Sequence, residues 1–231
     1  MSATVVLVHG GFVDGSGWRG VYDELHADGL DVRIVQHATK SLADDAATTR
    51  DVLDGVDGPV VLVGHSYGGA VITEAGNHDK VAALVYVTAF APDEGESVNT
   101  LLGGFPQDGP QPPILPPING YLLLDRANFH DSFAADISAE DAAFLADSQV
   151  PWGLDALGDT ITDAAWRSKP SWYLHVGDDR MIPPVVQTSM AARIGATVVE
   201  TPGSHAIYVS QPKTVADIRH SVRDAVASSA K

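Results

Sequence analysis

The 231-residue sequence contains no cysteine. That absence excludes a thiol nucleophile, a thiolate zinc site, an iron–sulfur cluster and any disulfide framework. Basic residues are scarce. Fourteen Lys and Arg face thirty Asp and Glu, a formal net charge of −16, which argues against nucleic acid and against an anionic membrane as partners. No apolar run approaches the ~18 residues of a membrane span. The start, Met1-Ser2-Ala3-Thr4, lacks the basic segment and long apolar stretch of a secretory leader, so a cytoplasmic protein is expected. No internal repeat is visible. The histidines show no metal-ligand spacing such as HExxH, so no metal and no cofactor are expected.

What is present is a hydrophobic content of 45%, enough for one globular α/β domain. Short apolar runs rich in β-branched residues recur at 4–8, 32–35, 60–63, 81–87, 171–176 and 197–200. Most are continuous rather than alternating, as in a parallel sheet covered by helices on both faces. Helical patterns lie between them at 17–27, 42–53, 69–77, 185–194 and 214–227. A mostly parallel sheet of about six strands follows. The rhythm breaks over residues 92–169, where no strand is expected and Pro106, Pro110, Pro112, Pro113, Pro116 and Pro117 crowd together. Each proline removes a backbone donor, so this stretch cannot be sheet core. It reads as a helical cap, with helices near 125–133 and 139–148, inserted into a core formed by 1–91 and 170–231.

One segment carries chemistry. Val60-Val61-Leu62-Val63 leads into Gly64-His65-Ser66-Tyr67-Gly68-Gly69-Ala70, a strand, then Gly-x-Ser-x-Gly, then a helix start. A serine in such a sharp turn is pushed out above the sheet, and the flanking glycines let strand and helix approach it. Ser66 is therefore the candidate nucleophile. A serine hydroxyl needs a base, and the base an orienting acid.

Among nine histidines, His205 stands in the loop after the last strand and is the candidate base. His9 ends the first strand and reads as a structural residue of its loop. The turn should direct His65 away from the nucleophile's chemistry. His175, inside a strand, is expected in the core, and His26, His37, His78, His130 and His220 in solvent. The acid should follow the penultimate strand, where Gly177-Asp178-Asp179-Arg180 lies. Asp179 is preferred, Asp178 is its neighbour, Asp93 is an outside candidate, and Arg180 is free to pair with the spare carboxylate. An oxyanion requires two convergent backbone N–H groups, for which Gly11 and Tyr67 are the candidates. Phe12, Phe105, Tyr121, Trp152 and Ile182 are the substrate-pocket candidates.

With these residues in place the chain resembles the α/β-hydrolase superfamily from end to end. The matching stretches are Val8-His9-Gly10-Gly11 followed by Trp18, Gly64-His65-Ser66-Tyr67-Gly68-Gly69, Asp179 four residues before Pro183, and Gly203-Ser204-His205. The short chain and small cap are most similar to the methylesterase and hydroxynitrile lyase branch and its bacterial esterase relatives. The lyases of that branch carry Thr after the first-strand His and Lys after the catalytic His. Gly10 and Ala206 stand there instead, which favours ester hydrolysis, while Ser66 excludes superfamily chemistries that need an Asp nucleophile. The resemblance implies an α/β-hydrolase fold and a cofactor-free carboxylesterase for small, fairly apolar esters. Such a protein would be a monomer or a homodimer. A lyase or perhydrolase using the same residues, or a small-ligand receptor on a hydrolase scaffold, is the alternative.

Overall fold

The computed structural model describes residues 3–106, 111–218 and 222. Its centre is a six-stranded, wholly parallel sheet of β1 (Thr4–Val8), β2 (Val32–Val35), β3 (Val60–His65), β4 (Val81–Val87), β7 (Ser171–Val176) and β8 (Thr197–Thr201), in the order β2-β1-β3-β4-β7-β8. Alternate residues of a strand face opposite sides, and the sheet uses both. Val6, Val8, Leu62 and Tyr86 belong to one apolar core, Val5, Leu7, Val63 and Leu174 to the other. This is why the strands read as unbroken apolar runs.

Around the sheet lie α1 (Arg19–Ala27), α2 (Leu42–Asp54), α3 (Gly68–Ala75) and α8 (Pro184–Arg193). Ser41 caps α2 by accepting the Asp44 N–H, and a proline occupies the first turn of α8, where its missing N–H costs nothing. The helix expected at 17–27 begins instead with a short 3-10 turn, Gly15–Trp18, capped by Asp14. Of the helix expected at 214–227 only the start is seen, within α10 (Pro212–Asp217), which follows a short α9 (Ile207–Ser210); most of the remainder lies outside the described residues. No helix among those described is long and apolar enough to cross a membrane.

Between β4 and β7 the chain leaves the sheet. It forms α4 (Val98–Leu102), β5 (Tyr121–Leu122), α5 (Arg126–Phe133), α6 (Ala139–Asp147), β6 (Trp152–Gly153) and α7 (Leu154–Gly158). Ser97, Asp125 and Ser138 each cap the helix that follows. The expectation of no strand here was too strict, because β5 and β6 pair antiparallel. The pairing is only two residues long on each side, too short to show as a hydrophobic pattern. Phe105, Leu124, Phe129, Phe133 and Trp152 join the same core as Val6 and Leu62, so this segment packs on the side of the sheet that those residues face.

Candidate active site

The residues of the candidate site cluster at the carboxyl edge of the sheet, where ligands bind in open α/β folds. Gly10 and Gly11 follow β1, Ser66 follows β3, Thr88 follows β4, Asp178 and Asp179 follow β7, and His205 follows β8. Ser66 has φ +54°, a left-handed conformation that a non-glycine residue adopts at a cost of roughly 1–3 kcal/mol. Its surroundings enforce that turn. A Cβ on Gly64 would lie 2.5 Å from the Gly68 carbonyl oxygen, one on Gly68 2.6 Å from the His9 oxygen, and one on Gly69 2.1 Å from the Phe90 oxygen. The Ser66 carbonyl accepts from the N–H groups of Gly69 and Phe90, at 2.9 and 3.0 Å.

His205 is buried, and its Nδ1 lies 2.8 Å from Asp179 Oδ2. Asp179 is also buried and receives five donors. Oδ1 accepts the N–H groups of Met181 and Ile182 at 2.7 and 2.9 Å; Oδ2 accepts His205, Gln187 Nε2 at 3.0 Å and the Thr88 hydroxyl. An ionised carboxylate, which only accepts, suits five donors. Thr88 is itself held at φ +38°, an outlier for a β-branched residue. The Asp179 bond places the proton on Nδ1 of a neutral His205 and leaves Nε2 as the basic nitrogen. Nε2 is buried and has no hydrogen-bond partner among the described residues. Catalytic hydrogen bonds are often long before substrate arrives.

The other carboxylates are engaged elsewhere. Asp178 is exposed and accepts the Gly203 N–H at 3.2 Å. Asp93 forms a bidentate pair with Arg167 at 2.8 and 2.7 Å, which holds its pKa below the ordinary value. Arg180 does not pair with a spare carboxylate and donates to the Asp131 carbonyl at 3.2 Å.

Two histidines depart from expectation. His37 is buried rather than solvated, stacked on His9 with ring centroids 3.8 Å apart. His175, next to last in β7, is half-buried rather than core, with Nε2 3.0 Å from the Pro184 carbonyl. His26 is exposed as expected, whereas His78 and His130 are half-buried, beside Asp54 and the Ile137 carbonyl; His220 lies outside the described residues. His9 is buried and donates from Nδ1 to the Gly10 carbonyl, and burial with the adjacent His37 lowers its pKa to about 4. His65, fully buried, places Nε2 2.9 Å from the His205 carbonyl; burial first, then His205, pushes its pKa well below 6.5. It tethers the backbone of the residue that pairs with Asp179.

A cleft of about 330 Å³, counting space open to solvent, reaches Ser66 between Gly11, Phe12, Trp152, Ile182, Phe90 and Met181. Three pocket candidates, Phe12, Trp152 and Ile182, line it. Two do not. Phe105 stacks behind Phe90 at 6.2 Å, and Tyr121 is turned outward on β5. Phe90, Leu102, Pro112, Ile114 and Met181 line the cleft instead. The Trp152 ring lies so close to Gly11 that a Cβ there would be 2.7 Å from Cδ2.

Sequence reasoning also missed the second layer: Thr88 and Gln187 on Asp179, and Asp136 below His205. Asp136 accepts the Ser204 N–H at 2.9 Å, the Ser210 hydroxyl at 2.8 Å and the Ser204 hydroxyl. Burial alone would raise the Asp136 pKa, but these bonds outweigh it and hold it below the ordinary value. Among the described residues no cluster of three His, Cys, Asp or Glu is arranged to hold a metal ion.

Sheet order, the tight serine turn and the carboxylate–imidazole pair define an α/β hydrolase. The model of the alpha/beta hydrolase family matches residues 5–218, and the chain belongs to that family as one of its enzymes. It is 27% identical over 260 residues to the pyrethroid hydrolase of Sphingobium wenxiniae (strain DSM 21828 / CGMCC 1.7748 / JZ-1), covering 96% of this chain and 88% of the relative. Methylesterase 8 of Arabidopsis thaliana is 33% identical over 121 residues, 46% of this chain and 44% of its own. The crystal structure of polyneuridine aldehyde esterase superposes with a TM-score of 0.82 at 21% identity, over 96% of this chain and all of that one.

Proposed function

We propose that the chain is a cofactor-free serine carboxylesterase for small, fairly apolar esters. The observation that carries this reading is Ser66, held at φ +54° at the sheet edge shared with the buried Asp179–His205 pair. In this mechanism Ser66 Oγ attacks the ester carbonyl while His205 Nε2 takes its proton. His205 returns that proton to the departing alcohol, leaving an acyl-enzyme. A water molecule, deprotonated by the same nitrogen, then releases the acid. Asp179 holds the imidazole in its Nδ1–H form and stabilises the imidazolium. The N–H groups of Gly11 and Tyr67 are assigned to the oxyanion. Neither donates in the backbone turns of this region, where the neighbouring N–H groups of Ser66, Gly69 and Ala70 do.

Ester hydrolysis is favoured over a lyase reaction by two positions. A Cβ on Gly10 would meet Ser66 Cβ at 2.8 Å, so this backbone has no room for the threonine of the related lyases. Ala206, fully buried, offers no cation where they carry lysine. The names of the relatives, a pyrethroid hydrolase, a methylesterase and an aldehyde esterase, point the same way.

The test is a p-nitrophenyl ester series of increasing acyl length, with and without EDTA, alongside a cyanohydrin. Short esters should be cleaved with burst kinetics, indifferent to chelation, and Ser66→Ala should lose on the order of 10⁴ or more in kcat. A fluorophosphonate should label Ser66. Cyanohydrin cleavage without ester hydrolysis, or ester hydrolysis surviving in Ser66→Ala, would overturn the reading.

A further inference from the structure

Helix α2 opens with two adjacent acidic residues, Asp44 and Asp45. An exposed carboxylate in a first turn is explained by the helix dipole, and Asp44 is exposed. Asp45 is 1% exposed. Burying a carboxylate costs several kcal/mol unless partners compensate, so its partners define what it does. Tyr67 Oη donates to Asp45 Oδ2 at 2.8 Å, and His37 Nδ1 lies 3.5 Å from the same oxygen. Neither Asp45 Oδ1 nor His37 Nδ1 has a hydrogen-bond partner among the described residues. His37 reaches further. Its Nε2 donates to the His9 carbonyl at 3.1 Å, and its ring lies flat on the His9 ring.

The hydrogen bond to Asp45 starts from a residue whose backbone matters. Tyr67 carries one N–H assigned to the oxyanion. His9 stands two residues before Gly11, which carries the other. The two segments already touch, because a Cβ on Gly68 would meet the His9 and Val8 carbonyls at 2.6 Å. The β1–β3 ladder, which pairs Val8 with Gly64, holds the two strands together beneath them. The Tyr67–Asp45 hydrogen bond adds an anchor at the side chain of the residue that carries one of the two N–H groups. None of the three polar groups lines the cleft at Ser66, so direct substrate binding does not explain them.

We propose that Asp45, acting through the Tyr67 hydroxyl, is a positioning residue that holds the Tyr67 N–H of the oxyanion hole in its working place. This rests on the esterase reading above. Loss of one oxyanion donor typically costs 10²–10³ in kcat; loosening its position should cost less, about tenfold.

The experiment measures p-nitrophenyl ester hydrolysis, trifluoromethyl ketone inhibition and urea unfolding for wild type, Tyr67→Phe, Asp45→Asn and Asp45→Leu. A trifluoromethyl ketone forms a hemiketal oxyanion on the serine and reports the hole directly. Tyr67→Phe should lower kcat about tenfold with KM within about twofold, and weaken the inhibitor by a similar factor. Asp45→Leu should match it or fall further. Asp45→Asn keeps an oxygen acceptor for Tyr67 and should stay within about threefold of wild type. Unchanged kcat and inhibitor affinity in Tyr67→Phe would overturn the proposal while leaving the esterase reading intact. So would losses tracking the urea midpoint alone, with Asp45→Asn as impaired as Asp45→Leu. A wild type that hydrolyses no ester would remove both.

Discussion

Buried, neutral His9 makes folding sensitive to mild acid. Its pKa falls from 6.5 in the unfolded chain to about 4 in the folded one, through burial and the neighbouring His37. The unfolded chain therefore takes up a proton that the folded chain refuses. The stability His9 contributes is complete above pH 6.5 and is lost as pH falls toward 4. At about 1.4 kcal/mol per pH unit the whole window amounts to about 3 kcal/mol, of which about 2 kcal/mol is gone by pH 5. His65, with its pKa lowered by burial and His205, adds a loss of the same sign. Most carboxylates titrate below this range.

The measurement is the urea unfolding free energy of wild type and His9→Asn at pH 7.5 and pH 5. Asparagine keeps an N–H near the Nδ1 position but does not titrate, so the pair isolates His9. Wild type should be the more stable at pH 7.5, and its margin should shrink by about 2 kcal/mol at pH 5. A margin that stays constant or widens would refute the assignment of a buried neutral imidazole.

Two further outcomes are expected. Asp179→Asn should lower kcat on the order of 10⁴. Asp178→Asn and Asp93→Asn should stay within about tenfold, since one accepts a single backbone N–H and the other pairs with exposed Arg167; steady-state kinetics on one ester decides, and a crippled Asp178→Asn or Asp93→Asn would move the acid. Asp136→Ala should cost on the order of 1 kcal/mol of stability, its bonds being partly exposed. It should also lower kcat severalfold through the Ser204–His205 turn; unchanged kcat and urea midpoint would show that the turn holds itself.

Much of this architecture was legible in the sequence because its signals are local. Every strand of the large sheet starts where its apolar run starts, and the Gly-x-Ser-x-Gly turn shows itself by composition. Asp179 was separable from Asp178 only by its spacing to Pro183, which reflects a real turn: Asp179 Oδ1 accepts the N–H groups two and three residues on. What escaped is what depends on distant partners. His37 reads as solvated in its own polar stretch and is buried by His9 and α2. Thr88 and Gln187 look like ordinary strand-end and helix residues until 91 and 8 positions, respectively, are closed onto Asp179. Tyr121 stands opposite Gly153 and Trp152 opposite Leu122, so the two aromatics face different ways, and a two-residue pairing has no period to read.

The packing of Trp152 on Gly11 constrains the order in which this lineage can change. A methyl group at position 11 has no room while an indole occupies position 152, so alanine at 11 can be accepted only after 152 has become smaller. The reverse route is closed as well. Once alanine is fixed at 11, a tryptophan can return to 152 only if the turn after β1 moves. Sizes at these two sites, 141 positions apart in the chain, should therefore vary inversely among relatives, and a library that randomises one without the other will sample mostly dead ends.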